Sequence, residues 1–173
     1  MLGARLLRRL TLLLAVAGSG TACAQPVAES DMKAQIVFRV LLFVQWPRER
    51  LPAGQPLDLC LFDEDATGTA LSRLAGQQVQ GHRLRVRKAA PDQSGGCHIA
   101  YVGARTPAAV PVAHHPGVLF VGDRLGLVEQ GVMLNLQVDS GRITFDIGLA
   151  AARRAGLEIS AKLLRLARFV KDD

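Results

Sequence analysis

Apolar and polar positions alternate twice near the end of the chain. The first run is Met133-Leu134-Asn135-Leu136-Gln137-Val138 and the second is Arg142-Ile143-Thr144-Phe145-Asp146-Ile147, with Asp139-Ser140-Gly141 between them. Two period-two segments around a glycine-containing turn predict an antiparallel hairpin. Helical spacing follows, with Leu149, Ala152 and Leu157 on one side and Arg153 and Arg154 on the other. Gly156 is placed to end that helix in a left-handed cap. Ser160 is a good N-cap for a second helix, whose apolar stripe is Leu163, Leu164, Leu166, Ala167 and Val170.

Upstream, the pattern changes from helix to buried strands. Ile36, Val37, Val40, Leu41, Phe43 and Val44 recur at helical spacing from Asp31 onward, and Pro47 ends the run just after Trp46. Leu57 to Phe62, Val79 to Lys88, Cys97 to Val102 and Gly117 to Gly122 read as strands, the second carrying a small turn at Gln80-Gly81. Short helices are expected from Thr69 to Ala75, stopped by Gly76, and from Thr106 to His114. Pro91 to Gly96 is a turn, and Asp123 to Gln130 a loop or short helix. Continuous apolar strands alternating with helices imply a mixed sheet covered on both faces. The expected fold is a single-domain α/β protein, a three-layer α/β/α sandwich. It has a mixed sheet of about six strands and a C-terminal β-hairpin plus helices.

The first 24 residues do not fit that fold and read as a targeting segment. Arg5, Arg8 and Arg9 form a basic start, Leu10 to Val16 are mostly apolar, and Ala22-Cys23-Ala24 has the small-x-small form of a cleavage site. The expected division is a signal peptide over 1–24, cleaved after Ala24, and a domain over 25–173. Lipid attachment at Cys23 is an alternative, but a lipobox prefers Leu where Gly20 stands. Retention of the segment as an anchor is another, although the apolar run is too short to span a bilayer.

Export changes what the charge means. The full chain carries a net charge of +6. Arg5, Arg8 and Arg9 supply three of those charges and no acid accompanies them, so the mature domain is left at +3. Nucleic acid is a poor partner for such a domain. Without Cys23, Cys60 and Cys97 remain, and two cysteines in an exported protein read as one disulfide, with two buried free thiols as the alternative. A Cys-x-x-Cys redox site is absent.

Candidate chemistry is sparse. Asp63-Glu64-Asp65 follows a strand, where α/β folds place metal or phosphate sites; the plainer reading is a solvated loop with Asp65 capping the next helix. His114 and His115 are adjacent in sequence without zinc-ligand spacing nearby, and His98 and Cys97 point to opposite faces of their strand. Arg83, Arg85 and Arg87 share one face, fit either to bind an anion or acidic partner or to guard a sheet edge. No phosphate loop, nucleophile elbow or His-Glu-x-x-His helix occurs, so no enzyme activity and no cofactor are expected. Trp46, the single tryptophan, ends the first helix and marks a contact surface or a core position. The alternative function read from the residues is a periplasmic small-ligand-binding module, its pocket at the carboxyl ends of the strands.

Several ordered elements together resemble the YfiR-like family of periplasmic proteins. They are Phe43-Val44-Gln45-Trp46-Pro47, Leu59-Cys60-Leu61-Phe62, Leu74-Ala75-Gly76 with Gly81 to Arg87, Cys97 to Gly103, and the run from Gly131 to Ala167. The resemblance implies a periplasmic regulatory protein that binds the periplasmic sensor domain of a membrane-anchored diguanylate cyclase. It would thereby lower cyclic di-GMP output, and an outer-membrane lipoprotein would sequester it. It also implies a fold-stabilising disulfide at the positions of Cys60 and Cys97. A further cysteine pair, present in some members near the hairpin, is missing here. The expected contact surface is Gln45, Trp46, Glu158 and Ser160, with the arginine stripe as a second candidate. Self-association through the apolar first helix, giving a homodimer, is a further expectation.

Overall fold

The structure, a computed structural model, describes residues 28–106 and 115–173. The expected signal peptide lies outside the described residues, as does the expected helix from Thr106 to His114 except for Thr106 itself. Helix α1 (Glu29–Leu41) buries Ala34, Val37, Val40 and Leu41 and packs against α2 (Ala66–Ser72). The strands are β1 (Val44–Gln45), β2 (Leu57–Leu61), β3 (Gln78–Val79), β4 (His82–Lys88), β5 (Ile99–Val102), β6 (Leu119–Gly122), β7 (Leu134–Asp139), β8 (Arg142–Gly148), β9 (Glu158–Ile159) and β10 (Phe169–Lys171). Two further short helices, α3 (Leu149–Arg154) and α4 (Ala161–Leu164), follow the hairpin.

Eight strands form one mixed sheet in the order β10-β8-β7-β6-β5-β2-β4-β3, and β1 pairs with β9 in a separate two-stranded ribbon. Strands β2, β4, β5, β6 and β7 are parallel neighbours, whereas β3 runs antiparallel to β4 and β8 antiparallel to β7, with β10 parallel to β8 at the edge. Every residue of β2, β5 and β6 is buried, so the centre of the sheet is covered on both faces, as their largely apolar sequences predict. Both hairpin turns use two consecutive left-handed residues, Gln80-Gly81 and Ser140-Gly141. That geometry matches the twist of the strands they join.

The α/β class, the single domain and the mixed sheet are as expected, but the sheet has eight strands where about six were expected. Val79 to Lys88 folds back at Gln80-Gly81 to make two strands, and the end of the chain supplies another. The long last helix is corrected to a single turn. Ser160 caps it as expected, its Oγ accepting from Leu163 N at 3.3 Å. The chain then leaves the helix because Arg168 is held on β8. Its N–H donates to Phe145 O at 2.9 Å, and its guanidinium grips the buried Asp146 at 2.9 and 2.6 Å. Phe169–Lys171 is thereby laid parallel to β8, and Leu166, part of the expected apolar stripe, is 64% exposed.

The first helix also stops sooner than the pattern predicts, at Leu41 rather than beside Trp46. Gln80, at the tip of the β3–β4 hairpin, donates its side-chain amide to Leu41 O at 2.8 Å and to Val44 O at 2.9 Å. Ser160 N donates to Phe43 O at 3.0 Å. These bonds satisfy carbonyls that a helix end leaves open and turn the chain into β1.

Candidate functional site

The ribbon of β1 and β9 gathers four of the expected contact residues. Gln45 lies opposite Glu158 and Val44 opposite Ile159, with Trp46 and Ser160 next along their strands. Gln45 and Glu158 are exposed, and Trp46 and Ser160 are half-buried. Val44 is fully buried and anchors the ribbon to the core. Ser160 is occupied as a helix cap, so its role here is to fix the backbone. Trp46 is also fixed, because its indole N–H donates to His98 O at 3.2 Å.

Beside the ribbon lies a cleft of about 420 Å³. Leu57 and His82, the first residues of β2 and β4, place it at the amino ends of the parallel strands. Trp46, Leu51, Leu57 and Val79 give it apolar walls, and Gln45, Arg48 and Gln80 give it polar ones. Sequence reasoning singled out Trp46 and Gln45 but missed the rest. The left-handed, non-glycine Gln80 is legible only once the hairpin tip is seen against α1.

His98 supports this wall from behind. Its Nδ1 accepts from Asp58 N at 3.0 Å and its Nε2 donates to Arg50 O at 2.9 Å. Burial holds its pKa below the ordinary histidine value, against the opposing pull of the Arg50 carbonyl and the Asp58 charge. A proton on Nδ1 would make that nitrogen a donor facing the Asp58 N–H, and the hydrogen bond would be lost.

The arginine stripe is split by the fold into separate tasks. Arg83, Arg85 and Arg87 do lie on one face of β4, but Arg85 is committed to Asp58, with contacts of 2.5 and 2.8 Å to a buried carboxylate. Arg87 donates to Gly96 O at 3.1 Å and approaches Cys97 Sγ at 3.5 Å. It lies over the Cys60–Cys97 disulfide, which joins two fully buried residues. Arg83 is exposed and has no ion-pair partner among the described residues. The Asp58–Arg85 pair has no place in the sequence reading, although an acid inside an otherwise apolar strand, Leu57-Asp58-Leu59, is the signal that could have found it.

At the carboxyl ends of the strands, connections from β2 run to β4 on one side while β5 lies on the other, which is where open α/β sheets usually leave a ligand crevice. Here that point is filled by side chains bonded to one another. Asp63 accepts from Arg105 N at 2.6 Å and from its guanidinium at 3.0 and 2.9 Å. Asp65 caps α2 through Gly68 N at 2.8 Å, as expected, and also accepts from Ala104 N at 3.0 Å. The Tyr101 hydroxyl lies 3.1 Å from both Asp65 oxygens and 2.9 Å from Asp123, which also receives Thr67 and Lys33. Burial, then Asp123 and Asp65, push the Tyr101 hydroxyl far up, so it stays a donor. A Cβ on Gly103 would come within 2.6 Å of both Asp63 and Asp65, so only glycine fits there. A shallow depression beside it, lined by Asp63, Glu64, Lys88 and Arg105, is spanned by the Lys88–Glu64 ion pair at 2.7 Å. His115 packs near Phe120 with ring centroids 6.3 Å apart, while His114 is outside the described residues.

The disulfide fits an oxidising compartment. No helix among the described residues is long and apolar enough to cross a membrane. In fold, the chain is similar to a conserved domain protein from Vibrio cholerae O1 biovar El Tor, with a TM-score of 0.50 at 13% identity. The match covers 84% of this chain and 61% of that one, so this chain spans about three fifths of that protein's length, and the likeness bears on the fold alone. The sequence profile described as YfiR/HmsC-like matches residues 30–168. That match runs from the first turn of α1 to the residue before β10, and the chain belongs to the YfiR/HmsC-like family.

Proposed function

We propose that this protein is a periplasmic regulatory binding protein that restrains a membrane-anchored diguanylate cyclase by docking on its periplasmic sensor domain. Family membership over residues 30–168 carries the reading. The polar clusters are consistent with it, because Asp63, Asp65, Asp58 and His98 are all engaged in holding the fold. The exposed ribbon, with Gln45 opposite Glu158 and Trp46 fixed beside them, is the docking surface.

Docking restrains the cyclase by differential affinity. A protein that binds only the low-output state of the sensor domain shifts the equilibrium towards that state, and the shift is bounded by the affinity difference. An outer-membrane lipoprotein that competes for the protein relieves the restraint. The test is intracellular cyclic di-GMP in strains with and without this chain, crossed with deletion of each membrane-anchored cyclase. Loss of the chain raises the nucleotide only where its partner cyclase is present. An unchanged level in every background contradicts the reading.

A further inference from the structure

We propose that the cleft beside Trp46 is a binding site for a small organic carboxylate that lacks an amino group, and that its occupancy changes partner docking at the ribbon. The second half rests on the proposed function; the first does not.

The lining sets the ligand class. Trp46, Leu51, Leu57 and Val79 offer an apolar surface to a hydrocarbon or ring, and about 420 Å³ is within the usual range for a small-molecule site. The indole N–H is spent on His98 O, so the ring is held in place and presents itself as a wall rather than as a donor. The cation is Arg48, which is exposed and forms no ion pair among the described residues. An unpaired guanidinium at the mouth of an apolar cleft favours a planar carboxylate, which it can grip with two N–H groups. The Gln45 amide has no other hydrogen bond among the described residues and is a second polar contact. No aspartate or glutamate is among the described lining residues. An ammonium group would therefore lose water there without gaining a counter-charge, which selects against amino acids and amines.

The cleft and the docking ribbon share residues. Gln45 lines one and pairs with Glu158 in the other. Gln80, also in the lining, holds the Leu41 and Val44 carbonyls that set the course of β1. A ligand that recruits Gln45 or shifts Gln80 therefore acts on the ribbon directly.

Because Trp46 is the single tryptophan, intrinsic fluorescence of the purified protein reports this cleft alone. The probes are octanoate, octylammonium and 2-aminooctanoate, which share a chain length and differ in charge. Octanoate is expected to shift Trp46 emission saturably, with matching heats by titration calorimetry. The other two should bind roughly tenfold more weakly or not at all. Arg48→Gln, at an exposed position, should weaken octanoate binding about tenfold with the melting temperature unchanged, and Arg48→Glu should favour octylammonium. No saturable signal, or equal affinity in Arg48→Gln, overturns the site. Equal binding of the three probes overturns the ligand class.

A second arm measures retention of the protein by detergent-solubilised partner cyclase with and without octanoate. Changed retention is expected, and unchanged retention overturns the coupling. If no cyclase retains the protein while octanoate still binds, the docking reading fails and the carboxylate site stands.

Discussion

Replacing both bridged cysteines tests how much the fold depends on one covalent bond. The disulfide closes a loop with a sequence separation of 37 residues, from the central strand β2 to the residue before His98 and β5. On the chain-entropy account, releasing such a loop in the unfolded state costs about 4 kcal/mol of stability. Small domains are stable by only about 5–15 kcal/mol, so this is a large share. Cys60→Ala with Cys97→Ala leaves no buried hydroxyl and removes two fully buried sulfurs, which adds to the loss. At roughly 2–4 °C per kcal/mol for a domain of this size, the melting temperature should fall by about 8–16 °C. Urea unfolding of the double variant and of the oxidised protein, read by Trp46 fluorescence and by circular dichroism, measures the difference. A loss below about 1 kcal/mol would show that the loop is constrained by something other than the bond.

Three further predictions rest on single residues. Gly148→Ala places a Cβ 2.7 Å from Val132 O, backbone that cannot give way cheaply, and should cost about 1–3 kcal/mol in urea unfolding. Burial raises the Asp63 carboxyl, but the hydrogen bonds and charge of Arg105 outweigh it and hold the pKa below the ordinary value. The stability this provides is present above the unfolded aspartate pKa and lost as pH falls through the folded one. Asp63→Asn should therefore be less stable than the wild type at pH 7, with the gap closing in acid melts below about pH 4. His98, held below its ordinary value by burial, should titrate below the free-histidine range in the folded protein by NMR. Its unfolded form takes up a proton near pH 6.5, so this group withdraws stability as pH drops through that value. An unshifted His98 titration rejects the assignment.

The parts of the fold that were legible in the sequence are those governed by local chemistry. Asp65 and Ser160 cap their helices, Gly156 takes a positive φ after α3, and both hairpins turn where glycine follows a residue that tolerates the left-handed region. The largely apolar strands β2, β5 and β6 are buried throughout. Long-range bonds decided the rest. Gln80 ended α1 from 39 residues away, and Arg168 on Asp146 made a strand of a segment whose leucine spacing suits a helix. Of the site, Trp46 and Gln45 stood out by type and position, and the β1–β9 pairing joined them to Glu158. The arginine stripe was correct in its placement on one face, but pairing with Asp58 left Arg85 little freedom to bind anything else. The cleft walls at Leu57 and Val79 carried no signal, because a strand start looks the same in sequence whether or not it borders a cavity.

The proposed regulation depends on docking of the β1–β9 ribbon on the periplasmic sensor domain of a diguanylate cyclase. Titration calorimetry of the purified protein against that domain, for the wild type and for Gln45→Lys with Glu158→Lys, tests it most directly. Saturable binding is expected for the wild type, with at least a roughly tenfold loss in the double variant at an unchanged melting temperature. Binding that is equal in both contradicts the ribbon, and no binding by the wild type contradicts the regulatory role itself.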